Sequence, residues 1–142
     1  MEETPLFSGE QIYGLIPQRP PVVMVDSLYR YDGDGAVTGL TVLPDNIFVE
    51  DGLFTESGLV EHVAQSAAAF AGYGTFKEGC PPKLGYIAEV KKFRIRRLPA
   101  VGESLRTELR ILGSAAGMSL LSAEVYAGDM VASGQMKIFI KE

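Results

Sequence analysis

The chain has 142 residues, of which 46% are hydrophobic and 22% charged, and 13 Lys and Arg against 18 Asp and Glu give a formal net charge of −5 at pH 7. This length suits one domain with its own core, which we expect to span residues 1–142. A net acidic chain lacks the basic face that nucleic-acid binding requires, so we expect no nucleic-acid partner.

Cysteine usage and the N-terminal residues predict a cytoplasmic protein. Cys80 is the one cysteine, so no internal disulfide can form, and no Cys/His cluster offers a zinc site. The acidic N-terminus does not fit a signal peptide, and the apolar stretches are far shorter than the ~20 residues that span a bilayer. We therefore expect no membrane contact, no metal and no cofactor.

The first half of the chain predicts a β-hairpin followed by a loop. Val22–Tyr31 and Ala36–Leu43 have the composition of strands, and Asp32-Gly33-Asp34-Gly35 between them is a dense turn signal. Pro44–Thr55 then has the composition of a loop.

Ser57–Tyr73 predicts a helix, because it holds five alanines and no proline. Thr55 or Ser57 can act as its N-cap, and Gly72 or Gly74 as its stop. A helix that is apolar almost all round is normally buried. We therefore expect a sheet to wrap this helix.

The last part of the chain predicts four strands and decides the fold class. The strands are Leu84–Leu98, Glu103–Leu112, Met118–Tyr126 and Met130–Lys141. In the second of them, Leu105, Thr107 and Leu109 alternate with Arg106 and Glu108. Short turns, Ser114–Gly117 among them, predict an antiparallel meander. One long helix and about six antiparallel strands share a core only if the sheet curls around the helix, which predicts an α+β hotdog fold.

Two short motifs carry a resemblance to a known family. Leu15–Asp26 reads LIPQRPPVVMVD and resembles an opening signature of the approximate form L-P-H-R-x-P-x-L-L-x-D. The helix segment Glu61–Gln65 reads EHVAQ and is similar to a second motif, E-A-x-A-Q. Both motifs, in this order, are those of the hotdog (FabZ-like) 3-hydroxyacyl-(acyl-carrier-protein) dehydratases. The order of elements agrees over nearly the whole chain.

The resemblance implies removal of water from a 3-hydroxyacyl thioester of an acyl carrier protein or coenzyme A. In that family a histidine of the opening motif is the base, and the helix glutamate of the other subunit is the acid. Carried over, the acid falls on Glu61, the helix glutamine on Gln65, and the histidine on Gln18. An amide does not titrate near neutral pH. We therefore assign Gln18 to substrate binding and not to base catalysis.

The helix residues also indicate a site by their spacing. Gln65 lies four residues after Glu61 and shares its face, which indicates either a wet, substrate-binding pocket or a hydrogen-bonded pair with a neighbouring loop backbone. Free N–H groups near Gly58, at the helix N-terminus, can polarise a bound thioester carbonyl. Gly58 and Gln65 are therefore candidate substrate-binding residues, and Glu61 is the main catalytic candidate.

His62 is the only histidine and lies ~100° around the helix from Glu61. Either it replaces the missing base across a dimer interface, as a second catalytic candidate, or it is a packed histidine that donates to a backbone carbonyl. A basic run is equally open to two interpretations, a docking surface for an acidic carrier protein or the solvated face of a strand. The run consists of Lys91, Lys92, Arg94, Arg96 and Arg97.

The resemblance and these residues leave three functions open. The first is a dehydratase-like lyase of fatty-acid or polyene/polyketide-type biosynthesis. The second is an acyl-thioester hydrolase in which Glu61 activates water. The third is a non-catalytic subunit that completes a heteromeric dehydratase with a histidine-bearing partner. Because the family's site is built from two chains, the resemblance implies a homodimer, a higher oligomer of dimers, or a heterodimer.

Overall fold

The computed structural model describes residues 3–79 and 85–140. Cys80 and the predicted strand ends at Leu84 and Lys141 lie outside these residues. The described residues begin with strand β1 and a short 3-10 helix, Gly9–Gly14. The strands are β1 (Phe7–Ser8), β2 (Ser27–Tyr31), β3 (Gly35–Thr41), β4 (Val49–Glu50), β5 (Leu53–Phe54), β6 (Gly85–Ile95), β7 (Ser104–Ala115), β8 (Met118–Ala127) and β9 (Asp129–Ile140). Helix α1 spans Glu56–Lys77 and lies between β5 and β6.

One large antiparallel sheet packs around α1. Seven strands are hydrogen-bonded in the order β1-β2-β3-β7-β8-β9-β6, and the helix contacts strands from across this sheet. Both the α+β class and the single long helix were predicted and are confirmed. No helix in residues 3–79 or 85–140 has the length and hydropathy needed to cross a bilayer.

The sheet differs from the predicted one in its strand count and its connections. It has seven strands because the two-residue β1 adds to β2 at one edge. The predicted four-strand meander is wrong: β7, β8 and β9 form a meander, but β6 pairs with β9 and not with β7. The edge of β7 is thereby left free for β3, and this pairing joins the two halves of the chain in one sheet.

The loop predictions also need correction. The predicted strand Val22–Tyr31 begins only at Ser27, because the backbone of Met24 is bonded to side chains of α1. The predicted loop Pro44–Thr55 contains a small hairpin in which β4 pairs with β5. At the predicted turn Ser114–Gly117, the strands extend to Ala115 and from Met118.

Helix α1 is longer than predicted because its two glycines are packing positions and not stops. The N-cap prediction at Thr55 is confirmed by position, although its hydroxyl donates to the Phe48 carbonyl and does not cap. The helix continues through Gly72 and Gly74 to Lys77. A Cβ on Gly72 would overlap the Leu15 carbonyl oxygen, so only glycine lets this loop backbone approach the helix.

The core lies between α1 and the inner face of the sheet. As the alternation of β7 predicts, Leu105, Thr107 and Leu109 are buried, whereas Glu108 and Arg110 are exposed. The helix contributes its own buried positions. These include Leu59, Val63 and the alanines Ala67, Ala68 and Ala69. Small residues allow the sheet to approach the helix closely along this stretch.

We expect Gly72→Ala to lower the free energy of unfolding by about 1–3 kcal/mol, because the added methyl group meets backbone that cannot move without shifting the loop. Gly74→Ala is the matched control. Its methyl group would lie 2.7 Å from the Tyr31 hydroxyl, the far end of a side chain that can move. Urea unfolding of both variants measures the difference, and equal stabilities would contradict the packing role of Gly72.

Candidate functional site

Four polar side chains lie close together on the N-terminal half of α1, where the helix faces the segment 22–26 and the inner sheet. They are Glu61, His62, Gln65 and Ser66. His62, Gln65 and Ser66 are each fully buried, and Glu61 is half-buried. Buried polar groups are normally hydrogen-bonded, and the partners of these four define the site.

Gln65 holds Glu61 and the neighbouring loop at once. Its Nε2 donates to Glu61 Oε2 at 3.1 Å and to the Val22 carbonyl oxygen at 2.7 Å. Its Oε1 accepts from the Met24 N–H at 2.6 Å. Both amide hydrogens are therefore used within the protein. This geometry matches the predicted hydrogen-bonded pair with a loop backbone, and it leaves Gln65 no hydrogen to offer a substrate.

His62 points from the helix into the core. Its Nδ1 lies 2.7 Å from the Met24 carbonyl oxygen, and its Nε2 lies 2.7 Å from Thr107 Oγ1. A carbonyl oxygen can only accept, so Nδ1 carries the proton and Nε2 accepts from the threonine hydroxyl. Burial lowers the pKa of His62, against smaller opposing effects of the Met24 hydrogen bond and the Asp26 carboxylate. The geometry corresponds to the packed-histidine alternative, with a neutral ring.

A second buried bond runs beside the histidine. Thr38 Oγ1 donates to Ser66 Oγ at 2.7 Å. Thr38 lies directly opposite Thr107 in the pairing of β3 with β7. The two threonines thus place two hydroxyls side by side on the inner face of the sheet. Neither was among the predicted site residues, although Thr107 stands on the predicted apolar face of its strand, and a hydroxyl there signals a polar partner.

Gln18 lies in the loop before this site and is half-buried. Its Oε1 is buried and accepts no hydrogen bond from the residues that the structure describes. Arg19 fixes the loop around it, since its Nη1 donates to the carbonyl oxygens of Ile16 and Gln18 at 2.9 and 2.7 Å. The Arg19 guanidinium also lies 5.3 Å from the ring centroid of Tyr13.

Gly58 is a packing position at the start of the helix. A Cβ there would lie 2.6 Å from the Phe54 ring and 2.8 Å from Phe48 Cβ. The space beside this glycine is thus filled by two aromatic residues. Binding of a thioester carbonyl by the N–H groups near Gly58 stays a prediction.

The predicted basic run is divided by the structure. The Arg97 guanidinium binds Glu103 at 2.9 Å and Asp129 at 2.8 Å, which ties the end of β6 to the turns beside it. Lys92, Arg94 and Arg96 are exposed, and Lys91 is half-buried. Carrier docking therefore stays a prediction for these four residues, while Arg97 has a structural role.

One cavity of the described residues lies against the segment 20–26 and is not lined by Glu61. It has a volume of about 450 Å³ and also contacts the 3-10 helix. Its lining includes Tyr13, Pro21, Met24, Asp26 and Asn46 and none of the predicted site residues. This cavity is therefore separate from the predicted site residues.

Comparisons with known proteins identify the family. Residues 10–142 match the model of the ApeP-like family, described as ApeP dehydratase. A 3-hydroxyacyl-(acyl-carrier-protein) dehydratase FabZ of Rhizobium etli is 31% identical over 106 residues, which cover 70% of this chain and 66% of that protein, just under two thirds of its length. The FabZ of Legionella pneumophila is 25% identical over 132 residues, or 86% of this chain and 85% of that protein.

Solved structures confirm the hotdog fold. A chain of the dehydratase heterocomplex ApeI:P from Xenorhabdus doucetiae superposes with a TM-score of 0.84 at 16% identity, covering 92% of this chain and 91% of that chain. The virulence protein Cj0977 from Campylobacter jejuni gives a TM-score of 0.67 at 12% identity, covering 89% and 82% of the two chains. At these identities the likeness concerns the fold.

The burial of His62 makes a prediction about pH. In the native state burial lowers its pKa, so the ring stays neutral where an unfolded histidine, with a pKa of about 6.5, takes up a proton. Below about pH 6.5 the unfolded state therefore binds more protons than the native state. As the pH is lowered, the free energy of unfolding decreases by at most about 1.4 kcal/mol per pH unit. Above about pH 6.5 this contribution is constant.

We expect this pH dependence to disappear in His62→Gln. The free energies of unfolding of the two proteins are compared between pH 5 and 8, and the contributions of the carboxylates, which both proteins share, cancel in the difference. Because the chain has one histidine, its imidazole NMR signals are unambiguous. They should show the Nδ1–H form at pH 6. An imidazole that titrates near pH 6.5 would contradict the buried, neutral assignment.

Proposed function

The chain belongs to the ApeP-like dehydratase family, and we propose that it supplies one half of the active site of a heteromeric dehydratase. The substrate is a 3-hydroxyacyl thioester carried by an acyl carrier protein or coenzyme A. This chain contributes the acid, Glu61, and a partner chain contributes the base.

One observation carries this proposal: the chain holds a positioned carboxylate and no free imidazole. Glu61 Oε2 accepts from Gln65 and is half-buried. His62 is fully buried, and both its ring nitrogens are engaged. Gln18, at the position where the resemblance expects a histidine, carries an amide that takes up no proton near neutral pH. Dehydration needs an acid and a base, and we therefore place the base on another chain.

The proposed reaction is a β-elimination. The partner's base removes the proton from the carbon next to the thioester carbonyl, and those electrons form the new carbon–carbon double bond. The bond from the next carbon to its hydroxyl breaks, and Glu61 protonates the departing oxygen, which leaves as water. The Gln65 amide, 3.1 Å from Glu61 Oε2, orients the carboxyl group for this transfer.

Three further features support a site shared between two chains. Glu61 does not line the 450 Å³ cavity beside the segment 20–26. The buried Gln18 Oε1 has no donor among the described residues, and a partner or a substrate amide could supply one. The structure with a TM-score of 0.84 is a chain of the dehydratase heterocomplex ApeI:P, so a chain of this fold is known in such an assembly.

The test uses mass spectrometry of a 3-hydroxyacyl carrier protein incubated with the chain alone, with a histidine-bearing hotdog partner alone, and with both. We expect loss of water only when both chains are present. Turnover by this chain alone would contradict the need for a partner base, and release of free thiol would favour a thioester hydrolase. Absence of any product with both chains would contradict the dehydratase proposal.

We expect Glu61→Gln to lower turnover of the two-chain enzyme by ~10² or more, because the amide keeps the size but cannot donate an acidic proton. Glu56→Gln, an exposed substitution in the first turn of the same helix, is the matched control. Initial rates at saturating substrate compare the two. Equal rates in both variants would show that Glu61 takes no part in the reaction.

Gln18→His should give this chain its own base. An imidazole there would be partly neutral at pH 7 because histidine ordinarily titrates near pH 6.5, and Glu61 could serve as its acid. We expect dehydration by this chain without a partner to appear or rise at least tenfold, and to vanish in the double variant with Glu61→Gln. A correctly folded variant that stays inactive would contradict the proposed position of Gln18 in the site.

A further inference from the structure

We infer that His62 is a positioning residue, which holds the loop at Met24 and thereby sets the direction of the Glu61 carboxylate through Gln65. The inference rests on the proposed role of Glu61 as the acid. It gives the histidine a task in the reaction that involves no proton transfer and no contact with substrate.

The Met24 peptide is held from both sides by the helix. Its N–H donates to Gln65 Oε1 at 2.6 Å, and its carbonyl oxygen accepts from His62 Nδ1 at 2.7 Å. Met24 lies outside the strands and is 1% exposed, so water does not replace these partners. A lost bond leaves a buried group unpaired, and the loop must then shift to satisfy it.

A shift of the loop reaches Glu61 through one side chain. Gln65 makes three hydrogen bonds, of which two go to the loop, at Met24 and Val22, and one goes to Glu61. If the loop moves, the amide loses the two bonds that fix its plane and can rotate. The Glu61 carboxylate then loses its orienting donor, although no atom of Glu61 has been changed.

Thr107 makes His62 a rigid link between loop and sheet. Its hydroxyl bonds to His62 Nε2 at 2.7 Å, so the ring connects the Met24 carbonyl to β7. The neighbouring bond between Thr38 and Ser66 also joins sheet to helix and is equally buried, but it does not touch the loop. Thr38→Val therefore removes a comparable buried bond and serves as the matched control.

Two substitutions separate the roles of the two ring nitrogens. In His62→Asn the amide nitrogen occupies the δ position and can still donate to the Met24 carbonyl. In His62→Gln the polar atoms lie at the ε position and can reach Thr107 but not Met24. If the loop bond is what matters, His62→Gln should be impaired, and His62→Asn should recover most of the loss.

The first readout is amide hydrogen exchange of Met24 in the full chain, measured relative to the core amide of Leu109 so that global destabilisation cancels. We expect exchange at Met24 to rise at least about tenfold in His62→Gln and by less than about threefold in His62→Asn and Thr38→Val. Equal rates in His62→Gln and Thr38→Val would overturn the inference.

The second readout is turnover with the partner chain. We expect His62→Gln to lower kcat by about tenfold with KM within about twofold, since misplacing an acid affects the transition state and not binding. An unchanged kcat despite faster Met24 exchange would overturn the link to Glu61. If the wild-type pair shows no dehydration, the proposed function fails, while the exchange experiment still decides whether His62 holds the loop.

Discussion

The structure depends on how one loop peptide is kept out of water. Met24 is buried between the helix and the sheet, yet it lies in no strand, so its N–H and carbonyl need partners from elsewhere. Gln65 and His62 supply them. These side chains come from adjacent turns of α1 and fix the loop against the helix, where Gln65 also donates to the half-buried Glu61.

Local sequence patterns predicted the helix and the strands of this fold better than they predicted which elements contact each other. The alternation in β7 identified its buried face, and the alanine-rich segment identified the helix. The end of the helix was wrong because Gly72 is explained by the Leu15 backbone, which is distant in sequence. The position of β6 was wrong for a similar reason, since short turns predict pairing between consecutive strands, whereas β6 pairs with β9.

In the site, too, local spacing was predicted, but contacts between residues distant in sequence were not. The spacing of Glu61 and Gln65 placed them on one face, and the structure brings them within 3.1 Å. The rotation of His62 away from Glu61 also followed from the helical period. Its partner Thr107 could not be predicted, because that contact depends on the register between helix and sheet. The surroundings of Gln18 could not be predicted from the pattern of this sequence, since its buried oxygen has no donor among the described residues.

The contacts that hold the Met24 loop join residues far apart along the chain. The bonds of Met24 to His62 and Gln65 span 38 and 41 residues, and that of His62 to Thr107 spans 45. Closing such loops costs chain entropy before any bond forms. Strands β7, β8 and β9 can meanwhile associate through short turns. We therefore expect the surroundings of Glu61 to assemble late in folding, after the helix and both halves of the sheet have met.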